Sequence, residues 1–318
     1  MKYQKIFYVL FFLTSNIHAQ VFPEKPIQII VPFPPGGGTD VVARAIAPKM
    51  SDILGVQVLI QNHAGAGSSL GTELVARLPA DGYSLLLVSS ATAINQTLDK
   101  NITWNLLKDF DPVILLLFNQ SLLVAHTSIG ANTVSEFLAL AKKNPKRFSY
   151  ASSGAGSSAH LGMELLKMMS GIELLHIPYR GAAPAMNDLV GGQVDLMLVD
   201  VSVILPQVKA GKVKVLGIGS LTKTPILPEV KTVSETGITG FEVSGLIGLS
   251  APFGTPSFAI QKINFAANEA LKESKVRERL LGMAMILMGG TPDRLREAVE
   301  QDVKKWSAVI NSAKLEKL

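Results

Sequence analysis

Three short segments combine glycine with small hydroxyl residues and could bind an anion. They span residues 34–39, 64–71 and 152–158. Each lies between an apolar segment typical of a buried strand and a segment with helical periodicity. Free N–H groups and the positive dipole at a helix start favour a carboxylate or phosphate, and glycine lets the ligand approach. A tight turn also needs glycine, but three such turns in one chain favour a cleft built for an anion.

The candidate ligand contacts are main-chain N–H groups and short hydroxyl side chains of the first and third segments. They are Gly36, Gly37, Thr39, Ser152, Ser153, Gly156 and Ser157. Ser90 and Thr92 follow another apolar segment and are predicted to shape the floor of the pocket.

Asp200 closes the apolar segment 194–199 and is expected at the edge of the cleft. Its carboxylate could contact an amine or hydroxyl at the far end of the ligand, or it could cap a helix or turn. Arg180 could likewise pair with a ligand carboxylate, or it could only cap a turn. No role is assigned to His63.

Two of the segments also match enzyme motifs. Residues 67–71 fit G-x-S-x-G with Ser69 as the nucleophile, and residues 154–159 fit the dinucleotide fingerprint G-x-G-x-x-G/A. The chain after Ser69 lacks the long hydrolase pattern, and the strand after the fingerprint ends in Tyr179-Arg180 rather than an acid. We therefore predict no catalytic residue. A secreted Ser hydrolase or a nucleotide-dependent enzyme remains the alternative function.

The composition excludes further classes of function. The 318 residues contain no cysteine, which removes disulfides, thiolate metal sites and a lipid-acceptor cysteine. The histidines show no metal-ligand spacing, so neither a metal nor a cofactor is predicted. The formal charge is +5, but the basic residues are scattered, whereas a nucleic-acid-binding protein concentrates them on one face. No nucleic-acid partner is therefore predicted.

The first 19 residues have the pattern of an export signal. Lys2 and Lys5 precede the apolar run 6–13, and the segment ends at Ala19, a small residue suited to signal peptidase. The run is too short to span a bilayer. We predict a soluble periplasmic protein that is mature from about Gln20.

The remaining chain alternates strand and helix patterns, which is typical of βαβ units and parallel sheets. Residues 20–122 and 123–242 each have enough elements for one α/β lobe. Residues 243–318 are predicted to return to the first lobe. This organisation requires two crossings, near 117–123 and 241–245, and paired crossings form a hinge.

A series of motifs in fixed order resembles the tripartite tricarboxylate transporter receptor family, also called Bug or TctC-like proteins. The motifs span the whole mature chain and stand at 32–40, 62–67, 79–83, 150–161, 179–181, 192–195 and 251–256. The resemblance implies a type II periplasmic-binding fold with two Rossmann-like lobes, a hinge and an interlobe cleft. It also adds Phe33, Pro35 and Asp40 of the first loop to the candidate ligand contacts.

The resemblance further implies the function. Members of the family bind small carboxylates, including dicarboxylates, tricarboxylates, amino acids and aromatic acids. They deliver them to a two-component membrane permease of the tripartite tricarboxylate type. The chain departs from the usual pattern of the family at His63-Ala64, where Arg-Pro is common, and around Thr222-Lys223, where an Arg is usual. The identity of the ligand is therefore not transferred.

Overall fold

A computed structural model describes residues 22–315. The predicted export segment 1–19 lies outside the described residues. The first elements of the fold are β1 (Ile27–Val31), α1 (Gly38–Leu54), β2 (Val58–Asn62), α2 (Ser69–Ala76), β3 (Ser84–Ser89), α3 (Ser90–Leu98) and β4 (Phe110–His126). They are followed by α4 (Val134–Lys143), β5 (Ser149–Ser152), α5 (Ser158–Ser170), β6 (Leu175–Pro178), α6 (Ala182–Val190), β7 (Leu196–Asp200) and α7 (Val201–Lys209).

The last part of the described chain returns to both halves of the molecule. Its elements are β8 (Val213–Ile218), α8 (Val233–Thr236), β9 (Ser244–Pro252), α9 (Ser257–Lys272), α10 (Ser274–Leu281), β10 (Met285–Leu287) and α11 (Pro292–Ser312). Within residues 22–315, no helix has both the length and the apolar character needed to cross a membrane.

The strands follow the order β2-β1-β3-β9-β4-β7-β5-β6, with β8 and β10 also paired to β4. β1 is parallel to β2 and β3, and β5 is parallel to β6 and β7. β9 is antiparallel to β3 and β4, and β4 is antiparallel to β7. We call the half that contains β1–β3 the first lobe and the half that contains β5–β8 the second lobe.

Strand β4 belongs to both lobes. Its residues 110–120 pair with β9, and its residues 121–126 pair with β7 and β8. The change of partner falls at the polar residues Asn119, Gln120 and Ser121. Buried Gln120 donates through Nε2 to Ser220 Oγ at 2.7 Å, and Ser121 Oγ donates to the Val243 carbonyl at 2.7 Å. The passage between the lobes is therefore a hydrogen-bonded strand, and the predicted lobe boundaries stay a prediction.

Helix α11 packs against both lobes. Leu295 and Val299, in its first turns, belong to an apolar cluster of the first lobe around Val88. Trp306 and Val309, near its end, belong to the core of the second lobe. The last helix thus bridges the two halves in addition to β4.

Helices α9 and α10 are separated at Glu273, which has an extended backbone and whose carboxylate caps α10 by accepting from Val276 N at 2.8 Å. Helix α1 runs through Pro48 and continues to Leu54. Pro48 is exposed, so the carbonyl that loses its helical partner can be hydrated.

Candidate functional site

The strand register brings the carboxyl ends of strands from both lobes together. Ser89, the last residue of β3, lies opposite Ile247 near the start of β9. Asp200, the last residue of β7, lies opposite Ser121 of β4. Since β9 begins opposite Gln120, the neighbour of Ser121, the ends of β3 and β7 face each other across the passage between the lobes. Open α/β sheets bind ligands beyond strand ends of this kind.

A cavity of about 290 Å³ lies at this position. The first lobe, the passage and α11 contribute Ser90, Ala91, Asn119, Ser121, Val243, Ser244, Gly245 and Trp306. The second lobe contributes Ser153, Ser157, Ser158, Ala159, Ala182, Met197, Leu198, Val199, Asp200 and Val203. The volume suits a small molecule, since it stands at the lower end of ligand pockets, roughly 300–1,000 Å³.

Four helices begin at the wall of the cavity. α3 contributes Ser90 and Ala91, α5 contributes Ser158 and Ala159, α6 begins at Ala182, and α7 follows Asp200 directly. The first N–H groups of a helix have no acceptor within the helix, and the helix dipole is positive there. The main chain of both lobes therefore makes the cavity favourable for negative charge.

Side chains hold the turn before α5 in shape. Ser157 Oγ accepts from His160 N at 3.2 Å and donates to the Gly154 carbonyl at 2.7 Å. The hydroxyl of fully buried Ser152 lies 2.7 Å from His176 Nε2. The N–H of Gly156 donates to His160 Nδ1 at 3.0 Å, so this N–H is already bonded in the structure. Ser158 and Ala159 supply the first unbonded N–H groups of α5.

Aromatic rings stack beside this turn. The ring centroids of His160 and His176 are 3.9 Å apart, and those of His176 and Tyr150 are 4.8 Å apart. Burial and the neighbouring His160 lower the pKa of His176 to about 4, and burial also lowers the pKa of His160. Both imidazoles are therefore neutral at neutral pH. His160 carries its proton on Nε2, because Nδ1 accepts the Gly156 hydrogen bond.

The turn before α1 is organised by a buried carboxylate. Asp40 accepts hydrogen bonds from Gly36 N at 2.9 Å, Asn62 Nδ2 at 2.9 Å and Arg44 Nε at 2.9 Å. Burial raises the pKa of Asp40, but the bonds from Arg44, Gly36 and Asn62 outweigh it and hold the pKa at about 2. Asp40 is thus a permanent anion that fixes the turn.

This first turn leaves the same sheet edge as β3, one strand further from the passage. None of its residues is among those that line the cavity in the described chain. Of the predicted contacts, Ser90, Ser153, Ser157 and Asp200 line the cavity. The others lie outside its wall: Phe33, Pro35, Gly36, Gly37, Thr39, Asp40, Thr92, Ser152 and Gly156. The ligand-binding roles of the whole set stay predictions.

Ser90 connects three elements at the cavity. Its hydroxyl donates to Asp302 of α11 and accepts from Leu246 N of β9 at 2.9 Å. Asp302 also pairs with Lys305 at 3.0 Å. Thr92 is fully buried and forms a capping box with Ser89 at the start of α3. Both predicted floor residues therefore hold the first lobe's helix start in place.

Sequence reasoning missed Asn119 and Trp306. Asn119 donates to Asp200 Oδ1 at 2.9 Å, and the polar run 119–121 within an apolar strand was a readable signal for the passage. Trp306 comes from the distant helix α11, is 1% exposed, and its indole Nε1 has no hydrogen-bond partner in the described structure. No local signal in the sequence links it to the cavity.

The enzyme motif around Ser69 has a structural explanation. Ser69 Oγ is 3.4 Å from Asp99 Oδ2 and 3.3 Å from Asn95 Nδ2, and in the described chain no histidine is hydrogen-bonded to it. Asn95 also donates to the carbonyls of Ala66 and Gly67, so this network holds the turn before α2. No metal-binding cluster of three or more ligands occurs within residues 22–315.

Comparison with known proteins identifies the family. The model of the tripartite tricarboxylate transporter family receptor, TctC, matches residues 42–315. The chain belongs to this family. The family consists of substrate-binding receptors, so this receptor is not an enzyme.

Relatives of the receptor match over nearly their whole length. It is 38% identical to the "UPF0065 protein in tcbD-tcbE intergenic region" of a Pseudomonas species, over 93% of this chain and 90% of the relative. It is 34% identical to the protein BugT of Bordetella pertussis, over 94% and 92% of the two chains.

Solved structures confirm the predicted α/β fold with two lobes. MatC from Rhodopseudomonas palustris, with bound malate, has a TM-score of 0.76 and 33% identity over 91% of this chain and all of its own. A second R. palustris protein, with adipate, has a TM-score of 0.80 and 29% identity over 94% of this chain and all of its own. The periplasmic binding protein BugD, with a TM-score of 0.77 and 36% identity, covers 93% of this chain and is itself fully covered.

Proposed function

We propose that this receptor captures a small organic carboxylate in the cavity between its lobes and delivers it to a two-component membrane permease of the tripartite tricarboxylate type. The observation that carries the proposal is the meeting of four helix N-termini at one cavity lined by both lobes. Such helix starts bind carboxylates through main-chain N–H groups. The relatives with bound malate and adipate support the same ligand chemistry.

The proposal places the protein in the periplasm after removal of residues 1–19. The two-lobed fold and the family are those of periplasmic binding proteins. In the proposed cycle, the ligand binds the closed arrangement of the lobes more tightly than the open one, and this difference in affinity drives closure. The permease then recognises the closed surface.

Binding is tested with the mature chain from Gln20 and a panel of small mono-, di- and tricarboxylates. A true ligand raises the melting temperature, since saturation at 100 times Kd adds about 2.7 kcal/mol of stability. Native mass spectrometry of the freshly purified protein identifies a retained ligand by its mass. A melting temperature unchanged across the whole panel, with no retained small molecule, contradicts the proposal.

The role of the α5 start is tested by Ser158→Pro. Proline at the first helical position keeps the helix and removes one N–H from the cavity wall. Ser157 before it already has the extended backbone that precedes proline. We expect binding to weaken by about 1.5–3 kcal/mol, or roughly 10- to 100-fold, with little change in stability.

The matched control is Ser274→Pro. Ser274 is also the first residue of a helix after an extended residue, but it is exposed on α10 and does not line the cavity. Calorimetric affinities should be unchanged in this variant. Equal affinities in both variants would exclude the start of α5 as the carboxylate site.

Delivery is tested in cells that lack the receptor. Uptake of the identified acid should be lost, restored by the wild-type chain, and restored poorly by Ser158→Pro at low external concentration. Normal uptake in the deletion strain would overturn the transport role.

A further inference from the structure

The cavity carries one charge on its wall. Its lining side chains are hydroxyls, an amide and apolar groups, and Asp200 is the only ionisable side chain among them in residues 22–315. The positive end of the cavity is therefore made of main-chain N–H groups, and the only side-chain charge is negative. A second ligand carboxylate would find no positively charged side chain among the described residues of this wall.

The Asp200 carboxylate has an unused acceptor oxygen. Asn119 Nδ2 donates to Oδ1 at 2.9 Å, and Oδ2 has no partner among the described residues. Asp200 stands at the N-cap position of α7 but forms no side-chain capping bond there. The helix-cap alternative considered from the sequence thus lacks its hydrogen bond, and the side chain lines the wall of the cavity.

The surroundings make this acceptor selective. Burial among cavity residues raises the pKa of Asp200 to about 6, and the Asn119 bond opposes that rise. The group is therefore ionised at neutral pH, and no cation lies beside it among the described residues that line the cavity. A ligand ammonium or hydroxyl would satisfy Oδ2, whereas a second ligand carboxylate would meet like charge in a partly desolvated site.

We propose that the ligand is a monocarboxylate whose other end carries a hydrogen-bond-donating group, an ammonium above all, which Asp200 accepts. This rests on the proposed function and adds the chemical class of the ligand. The ligand carboxylate lies at the starts of α3, α5 and α6, and the donor group lies at Asp200, beside the start of α7. The cavity of about 290 Å³ suits a short chain.

Arg180 is the cation that could reverse this preference. It is exposed between Tyr179 and Gly181, whose N–H groups donate to the carbonyls of Ser152 and Ser153 at 3.0 and 3.2 Å. It does not line the cavity, so a dicarboxylate would have to draw it inward. The experiment therefore includes Arg180→Gln.

The test compares ligands of matched length by calorimetry at pH 7.5 with the full mature chain. The probes are the ω-amino acids, ω-hydroxy acids, α,ω-diacids and simple fatty acids of three to six carbons, together with the corresponding α-amino acids. We expect the best amino acid to bind at least about 10-fold more tightly than the diacid of equal length. A diacid that binds as tightly as any amino or hydroxy acid overturns the inference.

Two variants separate the contributions of Asp200 and Arg180 to ligand selectivity. Asp200→Asn should weaken the amino acid at least about 10-fold and strengthen the diacid, because the repulsive charge is gone. Arg180→Gln should change neither, and Asp52→Asn, on an exposed position of α1, is the control for the loss of one negative charge. A diacid whose binding depends on Arg180 and not on Asp200 contradicts the inference.

The outcomes distinguish the inference from the proposed function. If only diacids bind, the carboxylate receptor stands and the inference fails. If no carboxylate binds, both fail. If amino or hydroxy acids bind best and lose affinity in Asp200→Asn, both are supported.

Discussion

The two turns that begin α1 and α5 come from similar sequence patterns but are held by different chemistry. In the first lobe, the buried Asp40 carboxylate binds Gly36 N and pairs with Arg44. In the second lobe, neutral imidazoles hold the turn: Gly156 N is hydrogen-bonded to His160, and Ser152 is hydrogen-bonded to His176. One turn is organised by an ion pair and the other by uncharged groups.

The two turns should therefore respond differently to acid. A carboxylate whose pKa is about 2 stays ionised throughout the pH range in which proteins are folded. Imidazoles with lowered pKa values can be protonated by moderate acid, and a protonated Nδ1 can no longer accept from Gly156. The turn before α5, which contributes Ser153 and Ser157 to the cavity wall, is therefore the one that acid can disturb.

Breaking the first turn should have the largest effect on stability. Asp40→Asn keeps the side-chain shape but loses the charge and half of the acceptors for Gly36, Asn62 and Arg44. Because these donors are then left poorly satisfied, we expect a loss of about 2–4 kcal/mol in the free energy of unfolding. Urea denaturation measures it.

Arg44→Gln is the control for that variant. The Arg44 side chain is 48% exposed, so water can replace it, and the loss should stay below about 1 kcal/mol. If the two variants are equally stable, the carboxylate is not the organising group of the first turn.

The sequence predicted the features that depend on local pattern. Apolar runs identified β1 and β7, and the residue that ends β7, Asp200, lines the cavity as its position suggested. The turn before α5, whose helix start lines the cavity, was also indicated by its glycines and serines. Parallel strands and helix starts leave such signals because their geometry is set by neighbours in the chain.

The rest depends on contacts between distant segments. Nothing near Gly36 or Gly156 in sequence shows that their N–H groups are already bonded to Asp40 and His160. Trp306 reaches the cavity only because α11 bridges both lobes. The turn before α1 leaves the sheet one strand further from the passage than the end of β3 does, and strand order of this kind is a tertiary property.

Acid should reduce stability through the second lobe. The pKa of His176 is about 4 in the folded chain, against an ordinary value of 6.5, so the unfolded chain binds more protons between these values. Stability is therefore complete above pH 6.5 and falls toward pH 4, by about 1–3 kcal/mol. Urea denaturation at several pH values measures the slope.

Asp200 has the opposite effect on stability in acid, so its contribution must be removed before the effect of His176 is measured. Its pKa is raised to about 6, so its protonation stabilises the folded chain as the pH falls below that value. The scan is therefore done in Asp200→Asn, with and without His176→Phe. The same slope with and without His176 would show that the imidazoles do not set the acid response.

Removing the single hydrogen bond between Gly156 N and His160 in the turn before α5 should have the smallest effect. His160→Phe keeps an aromatic ring beside His176 but leaves Gly156 N without its acceptor, so we expect a loss of about 1–2 kcal/mol by urea denaturation. His160→Asn offers an oxygen near the position of Nδ1 and should recover part of that loss. The same bond positions the start of α5, so His160→Phe should also weaken ligand binding, and His160→Asn should recover part of that affinity. If the Phe and Asn variants have the same stability and affinity, His160 contributes only packing. The second turn would then not depend on a side-chain acceptor as the first turn depends on Asp40.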